Sequence, residues 1–154
     1  MKNFAKVTLT VLAAACLGIT SSAYAKVTLR MGYEVPRTDS QHAAAKVLKD
    51  IVEKETKGEV EIKLFPDSTL GNTTALINGV REGTIDMTVQ GSNNFAGLSS
   101  KLMVIDLPFL FPTKEDAYRI LDGDIGNELL DSLSGVNIKG LAFWENGFRE
   151  IMCA

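Results

Sequence analysis

The sequence has 154 residues, of which 16 are lysine or arginine and 19 are aspartate or glutamate, for a net charge of −3. An acidic balance argues against nucleic acid or an anionic membrane surface as the partner, because both attract basic proteins. The length suits one domain with a hydrophobic core.

The first 25 residues have the features of a secretory signal peptide. Lys2 and Lys6 supply a positive start, and residues 7–19 form an apolar run that is short for a membrane span. An Ala-Tyr-Ala cleavage site ends at Ala25. We therefore expect cleavage after Ala25, export to the periplasm and a mature chain that starts at Lys26. Losing two of the 16 basic residues and no acid leaves 14 against 19, a net charge of −5.

Strands and helices alternate in the first half of the mature chain. The predicted elements are strand Val27–Glu34, a helix from Asp39 or Ser40 to Lys57, strand Glu59–Phe65, a helix from Asn72 or Thr73 to Gly83, and strand Ile85–Gln90. This alternation predicts an α/β fold with a parallel sheet of strand order 2-1-3 and helices on both faces. The second strand is expected at the sheet edge, because Glu61 and Lys63 alternate with apolar residues.

The helices have apolar residues at helical spacing, which predicts the sides that face the core. In the first helix these residues are Ala44, Val47, Leu48, Ile51 and Val52. Beyond the third strand we expect a dense apolar run at 104–111, a helix from Thr113 to Asp122 opened by a capping box of Thr113 with Asp116, a helix from Asp124 to Leu133 with Ile125, Leu129, Leu130 and Leu133 inward, and a last strand from Val136 to Trp144.

Small, hydrogen-bonding residues follow the second and third strands. They lie at the carboxyl ends of the strands, where ligands bind in open α/β folds. Thr73 lies at a helix N-terminus, whose unpaired N–H groups suit a carboxylate or hydroxyl; simple helix capping is the alternative. Gly91, Ser92, Asn93 and Asn94 can donate, accept and admit a ligand to the backbone, with an ordinary turn as the alternative.

Several short motifs, in this order, resemble one protein family. They are Phe65-Pro66, Leu70-Gly71, Gly83, Ile85-Asp86, Leu107-Pro108-Phe109-Leu110-Phe111 and Asn146-Gly147-Phe148-Arg149. With them the mature chain resembles the solute-binding receptors of tripartite ATP-independent periplasmic (TRAP) transporters, of the C4-dicarboxylate-binding type. The resemblance implies a lobe of the type II-like periplasmic-binding-protein fold. It also implies a receptor, with no catalysis and no cofactor, that binds an organic acid and delivers it to the permease subunits of a TRAP transporter.

The resemblance also suggests further ligand-binding residues. Glu34, which ends the first strand, is expected to contact a hydroxyl, an amine or a water rather than the ligand carboxylate. Trp144, Asn146 and Arg149 follow or end the last predicted strand, where an indole face can support the ligand and a guanidinium fork matches a carboxylate. Trp144 as plain core is the alternative. Asn94 stands where sialic-acid-type members carry an arginine, so a smaller organic acid is expected.

Receptors of the resembled family have a second α/β lobe, and residues 26–154 are expected to be the N-terminal lobe alone, with tight binding requiring both lobes. A secreted flavodoxin-like enzyme or nucleotide-binding domain is the alternative function. It would need a phosphate cradle or a catalytic pair, and no G-x-S-x-G, G-x-G-x-x-G or phosphate loop occurs. His42, the single histidine, is expected to have a surface role near the start of the first helix. A structural or adhesive module would leave the polar strand ends unexplained.

Overall fold

A computed structural model describes residues 26–147. Within that range the strands are β1 (Val27–Gly32), β2 (Val60–Phe65) and β3 (Met87–Thr88), and the α-helices are α1 (Ser40–Glu55), α2 (Thr73–Glu82), α3 (Lys114–Leu121) and α4 (Asp124–Asp131). Short 3-10 helices cover Ser92–Phe95, Ser100–Asp106 and Ser134–Val136. The predicted signal peptide and Arg149 lie outside the described residues.

The three strands form a parallel sheet of order β2-β1-β3, which confirms the predicted order and places β2 at an edge. β1 pairs with β2 along its whole length, from Val27 opposite Val60 to Gly32 opposite Phe65. This arrangement is the one that two crossovers, each through a helix, produce.

β3 is shorter than the predicted strand Ile85–Gln90, because the Asp86 side chain accepts a backbone hydrogen bond from β1 in place of a backbone carbonyl. The Arg30 N–H donates to Asp86 Oδ2 at 2.7 Å, while the Asp86 N–H donates to the Arg30 carbonyl at 3.1 Å. Regular pairing with β1 is therefore confined to Met87 and Thr88.

Helices cover both faces of the sheet, as predicted. On one face α1 packs over a buried cluster of Met31, Tyr33, Ala45 and Ile62. On the other face α2 comes so close that a Cβ added at Gly32 would lie 2.6 Å from Leu76 Cδ2. A second buried cluster connects α2 with the rest of the chain and consists of Ile77, Leu102, Leu129, Leu133 and Ile138.

Capping side chains fix the helix starts at the predicted places. Asp39 accepts from the Gln41 N–H at 2.7 Å, and Asn72 accepts from the Ala75 N–H at 3.0 Å. The Thr113 hydroxyl accepts from the Asp116 N–H at 3.2 Å and donates to its carboxylate at 2.8 Å. Gly83 ends α2 in the left-handed conformation (φ 75°) that favours glycine.

Two predicted helix faces were partly wrong. In α1 the inward residues are Ala45, Leu48 and Val52, whereas Ala44, Val47 and Ile51 are exposed. In the predicted helix Asp124–Leu133, which ends at Asp131 as α4, Ile125 is exposed, although Leu129 and, beyond the helix end, Leu133 are buried as expected. The spacing of apolar residues predicts which side of a helix is apolar, but not which of those residues lie in the middle of the buried contact. Where the apolar side is wider than the contact, the residues along its edges remain exposed to solvent.

The predicted last strand, Val136 to Trp144, was also wrong. A 3-10 helix ends at Val136, and residues 137–147 belong to no strand or helix. A strand needs a neighbour that pairs with its backbone, and the two-residue β3 offers little ladder at that side of the sheet. Ile138 is instead buried in the second cluster, with Phe143 packed against it.

The apolar run at 104–111 lies largely in solvent within the described chain. Leu107 is 55% exposed and Phe109 is 91% exposed, with a positive φ of 60° that is uncommon for a bulky residue. Among residues 26–147 no helix is long and apolar enough to cross a membrane.

Candidate functional site

The loops that follow β1 and β2 are joined by backbone hydrogen bonds. The Ser68 N–H donates to the Tyr33 carbonyl at 3.2 Å, and the Asp67 N–H donates to the Val35 carbonyl at 3.1 Å. Asp67 and Ser68 have φ values of 58° and 55°, a conformation that non-glycine residues seldom adopt unless their surroundings impose it. The carboxyl ends of both strands are thereby held in one fixed arrangement.

Glu34 and Thr73, two predicted site residues, are in direct contact. The Thr73 N–H donates to Glu34 Oε1 at 2.8 Å, and the Thr73 hydroxyl donates to Glu34 Oε2. A carboxylate at this position satisfies a free N–H at the start of α2 and faces the positive end of the helix. The helix N-terminus that was predicted to suit a ligand carboxylate or hydroxyl therefore already holds a carboxylate from the protein.

The residues after β3 form a short 3-10 helix, Ser92–Phe95. A Cβ added at Gly91 would lie 2.6 Å from Asn93 Oδ1, so the glycine makes room for that amide. Ser92 Oγ donates to Asp106, with oxygen distances of 3.0 and 3.2 Å. Gly91, Asn93 and Asn94 are exposed, and the two asparagines share one long contact of 3.4 Å. Their amides thus present donors and acceptors to solvent.

Trp144 and Asn146 lie beside β1 and α1 rather than on a strand of their own. Trp144 is half-buried and packs against the Met31 and Tyr33 cluster. Asn146 Oδ1 accepts from Gln41 Nε2 at 3.1 Å, which ties this segment to the first turn of α1. Part of the indole therefore belongs to the core, and the remainder is accessible to solvent.

The structure brings some predicted site residues together and leaves others apart. Glu34 contacts Thr73, and Trp144 packs against the buried cluster that includes Tyr33, whereas within residues 26–147 no hydrogen bond joins Gly91–Asn94 to Glu34 or Thr73. Neither of two surface cavities, of about 320 and 560 Å³, is lined by a predicted site residue. The strand ends therefore form an open polar face rather than an enclosed pocket.

Three contacts near this face were not predicted. Asp106 and Gln41 are the partners of Ser92 and Asn146 described above, and no sequence pattern marked either residue. The buried Tyr33 hydroxyl lies 2.6 Å from Nδ1 of His42, and burial raises the pKa of Tyr33 above its ordinary value. The histidine is thus engaged with a tyrosine rather than with a serine or cysteine nucleophile. Among residues 26–147 no cluster of histidine, cysteine, aspartate or glutamate could hold a metal ion.

Comparison with known proteins places this fold and face in context. The family model DctP, described as bacterial extracellular solute-binding protein, family 7, matches residues 31–154. An uncharacterized protein of Haemophilus influenzae is 54% identical over 147 residues, which are 96% of this chain and 44% of that protein. The 2,3-diketo-L-gulonate-binding periplasmic protein of Escherichia coli strain K12 is 51% identical over 145 residues, 94% of this chain and 44% of the relative.

A solved structure gives the same comparison in three dimensions. The TRAP periplasmic solute-binding protein of Polaromonas sp. JS666, bound to D-erythronate, superposes with a TM-score of 0.75 at 33% identity. The match covers 79% of this chain and 40% of that structure. This chain therefore spans less than half the length of the relatives that it matches.

Proposed function

Because this chain belongs to family 7 of the bacterial extracellular solute-binding proteins, we propose that it captures an organic acid in the periplasm and delivers it to the permease subunits of a TRAP transporter. The observation that carries the proposal is the family match over residues 31–154, which includes every strand end with candidate binding groups. The function is binding rather than catalysis.

Within the organic acids, a sugar acid suits the face better than a purely apolar acid. The E. coli relative is named for 2,3-diketo-L-gulonate, and the Polaromonas structure holds D-erythronate. Both ligands combine one carboxylate with a chain of hydroxyl or carbonyl groups. Hydroxyl and amide side chains can donate to and accept from such groups at the same time, and Ser92, Asn93 and Asn94 supply them. A C4-dicarboxylate is the other ligand class within this proposal.

The contacts around α2 suggest which end of the ligand lies where. Glu34 already occupies the helix N-terminus, so a ligand carboxylate there would meet a like charge. The ligand carboxylate would instead pair with a cation, for which Arg149 is the candidate, because a guanidinium can bind both carboxylate oxygens. Glu34 and Thr73 would then face the hydroxyl end, and Trp144 would support the carbon chain.

We propose that residues 26–154 form one of two lobes that close on the ligand. Lobe closure excludes water and so strengthens charge-assisted contacts, from roughly 1 kcal/mol at 4 Å in bulk water towards ~4 kcal/mol at an effective dielectric of 20. The open strand-end face of the described residues supports this reading, since a solvent-exposed face alone would hold an acid weakly.

A hybrid receptor would test the proposal. Residues 26–154 are joined to the part of the E. coli relative that lies beyond the matched region, and the product is titrated with 2,3-diketo-L-gulonate, D-erythronate and succinate in a calorimeter. Erythritol, which has hydroxyl groups and no carboxylate, is the matched control ligand. We expect at least one acid to bind with micromolar or better affinity and erythritol to give no heat.

Failure of all three acids, or equal binding of erythritol, would contradict the proposal, provided that the hybrid melts cooperatively. Residues 26–154 alone are titrated in parallel and should bind the same acid far more weakly. Equal affinity of the chain and the hybrid would contradict the two-lobe part of the proposal and leave the organic-acid part standing.

Export is a separate part of the proposal. Residues 1–25 would be removed as a signal peptide, in keeping with the periplasmic location in the name of the E. coli relative. N-terminal sequencing of the periplasmic product should give a start at Lys26. A start elsewhere, or a product confined to the cytoplasm, would contradict the cleavage site.

A further inference from the structure

A basic groove lies between α1 and the outer side of β2, and it extends to the carboxyl end of that strand. Its polar lining consists of Arg37, His42, Lys46, Lys49, Asp50 and Lys63, and Ile62, Leu64 and Phe65 complete it. The cavity volume is about 560 Å³. The lining has four basic residues and one acid. Lys49 is paired with Glu53, whereas Lys46 and Lys63 have no ion pair among the described residues, in a chain with a net charge of −3. The groove is therefore a local site of positive potential.

Every second residue of β2 directs its backbone N–H and C=O groups towards this groove. In the parallel ladder the odd-numbered residues of β2 form the hydrogen bonds to β1. One example is the Phe65 carbonyl, which accepts from the Tyr33 N–H at 3.1 Å. The N–H and C=O groups of Val60, Ile62 and Leu64 consequently point outward from the sheet. Outward groups on an edge strand can pair with another chain unless something covers them.

Side chains from α1 and from Thr56, the residue after it, cover the first two of these three positions. The Val60 N–H donates to Thr56 Oγ1 at 3.1 Å. The Ile62 N–H donates to Glu53 Oε1 at 3.3 Å, and Lys49 Nζ donates to the Ile62 carbonyl at 3.1 Å. Lys49 and Glu53 are also joined to each other at 2.5 Å, so they form one clamp over the edge.

The third position, Leu64, is left open. Within residues 26–147 no hydrogen bond reaches its outward N–H or C=O, and Leu64 lines the groove. Around it, Lys46 has no ion pair among the described residues, and Arg37 has a loose one, 3.8 Å from Asp67. An uncovered backbone position and available cations therefore occur at the same place.

We propose that the basic groove binds an extended, acidic peptide segment of a partner protein. The segment adds backbone hydrogen bonds to β2 at Leu64 and places carboxylates on Lys46 and Arg37. Strand addition supplies affinity through the main chain, and charge selects the partner. The clamp at Ile62 ends the pairing and so sets its register. A phosphate group or lipid headgroup would use the cations but not the N–H and C=O of Leu64.

The probe is a fluorescein-labelled, N-acetylated peptide of alternating glutamate and valine, whose glutamates all project to one side when it is extended. Binding to the signal-free chain is followed by fluorescence anisotropy at low salt. A lysine–valine peptide of equal length controls for charge. A glutamate–valine peptide with N-methylated amides controls for strand addition, because it keeps the charge and loses the N–H donors.

Two variants test the location. Lys46→Glu with Arg37→Glu reverses two groove charges, and Lys54→Glu with Lys114→Glu makes the same change of net charge on exposed residues outside the groove lining. We expect a loss of tenfold or more in affinity for the groove variant, since each reversed side chain replaces an attraction to a peptide carboxylate with a repulsion. The control variant should lose less than about threefold, as expected for a distant, screened charge.

Four results would overturn the proposal: no binding of the glutamate–valine peptide, equal losses in the two variants, equal binding of the lysine peptide, or full binding of the N-methylated peptide. Inorganic phosphate and phosphatidylserine vesicles are tested in the same way. Groove-dependent binding of either one, without peptide binding, would overturn the proposal in favour of a small-anion or membrane site. Thermal melts of both variants establish that each is folded.

Discussion

Gly126 is the position where a single methyl group should do most harm. It is buried in the first turn of α4, and a Cβ added there would lie 1.8 Å from the Leu121 carbonyl oxygen and 2.4 Å from its carbon. Real Cβ atoms essentially never come within 3.0 Å of another heavy atom, so α3 and α4 would have to separate by at least 3.0 minus 1.8, or 1.2 Å. The obstructing atoms are backbone and cannot rotate away.

The magnitude of the Gly126→Ala effect follows from two opposing effects. Overpacking typically costs ~1–3 kcal/mol, and a rigid backbone contact belongs at the upper end, about 3 kcal/mol. Alanine is about 1 kcal/mol better than glycine inside a helix. The free energy of unfolding should therefore fall by about 2 kcal/mol, which corresponds to roughly 8 °C in Tm for a chain of this size.

Gly135→Ala is the matched control, because a Cβ at Gly135 would meet no atom within 4 Å. It should leave stability unchanged or raise it by up to ~1 kcal/mol through the unfolded state. Urea denaturation of both variants, followed by circular dichroism, measures the difference. If Gly126→Ala lies within about 0.5 kcal/mol of the control, the close approach of α3 and α4 is not as described. The substitution should also disturb the candidate ligand site, since Phe95, which ends the 3-10 helix after β3, packs against the buried cluster that contains Leu129 of α4.

The remaining predictions concern single contacts. The effects of Thr73→Val and Glu34→Gln on the free energy of unfolding should be coupled by about 1 kcal/mol in a double-mutant cycle. A charged hydrogen bond contributes ~1.5–3 kcal/mol, and exposure to solvent weakens this one. Simple additivity of the two effects would show that the bond does not stabilise the fold. The hydrogen bond from Lys49 holds the pKa of Glu53 below 4.5, so its stabilisation is present at neutral pH and is lost as the pH falls through that lowered pKa. Glu53→Gln should flatten the fall in urea midpoint as the pH is lowered from neutral to below the ordinary glutamate pKa of 4.5, and a pH profile identical to that of the parent chain would contradict this assignment. In the hybrid receptor Arg149→Ala should weaken acid binding about tenfold or more, whereas unchanged affinity would mean that the side chain faces solvent.

Elements with strong local signals could be predicted from the sequence. Asp39 and Asn72 start α1 and α2 because each side chain satisfies an N–H that the helix leaves free. Gly83 ends α2 because glycine adopts positive φ without strain. Strand order followed from the alternation of strands and helices, since a right-handed crossover leaves few other arrangements.

The failures occurred where distant contacts decide the outcome. Residues 136–144 are apolar enough for a strand, but a strand forms only where a neighbour pairs with it. The N–H of Arg30 bonds to the side chain of Asp86, which no periodicity indicates, and β3 is shortened as a result. Val47 and Ile51 looked like core positions, and which edge of an apolar stripe is covered depends on the tilt of the helix.

The candidate site was predicted as a set of residues and not as an arrangement. Position at strand ends marked Glu34 and Thr73, yet their mutual bond depends on how α2 approaches β1. Ser92 was marked by its position, but its partner Asp106 lies 14 residues away in a stretch without polar periodicity. Contacts between loops leave no spacing pattern, because loop residues are not tied to a fixed period.

The most direct test of the account is to locate the bound acid on this chain. Amide shifts of the hybrid receptor, with residues 26–154 isotopically labelled by segmental ligation, are compared before and after addition of the acid that binds most tightly in calorimetry. We predict the largest shifts at Glu34, Thr73, Gly91–Asn94 and Trp144, with the amides of the basic groove around Lys46 unchanged. Shifts confined to the groove, or spread without preference over the chain, would contradict the claim that the carboxyl ends of the strands bind the ligand.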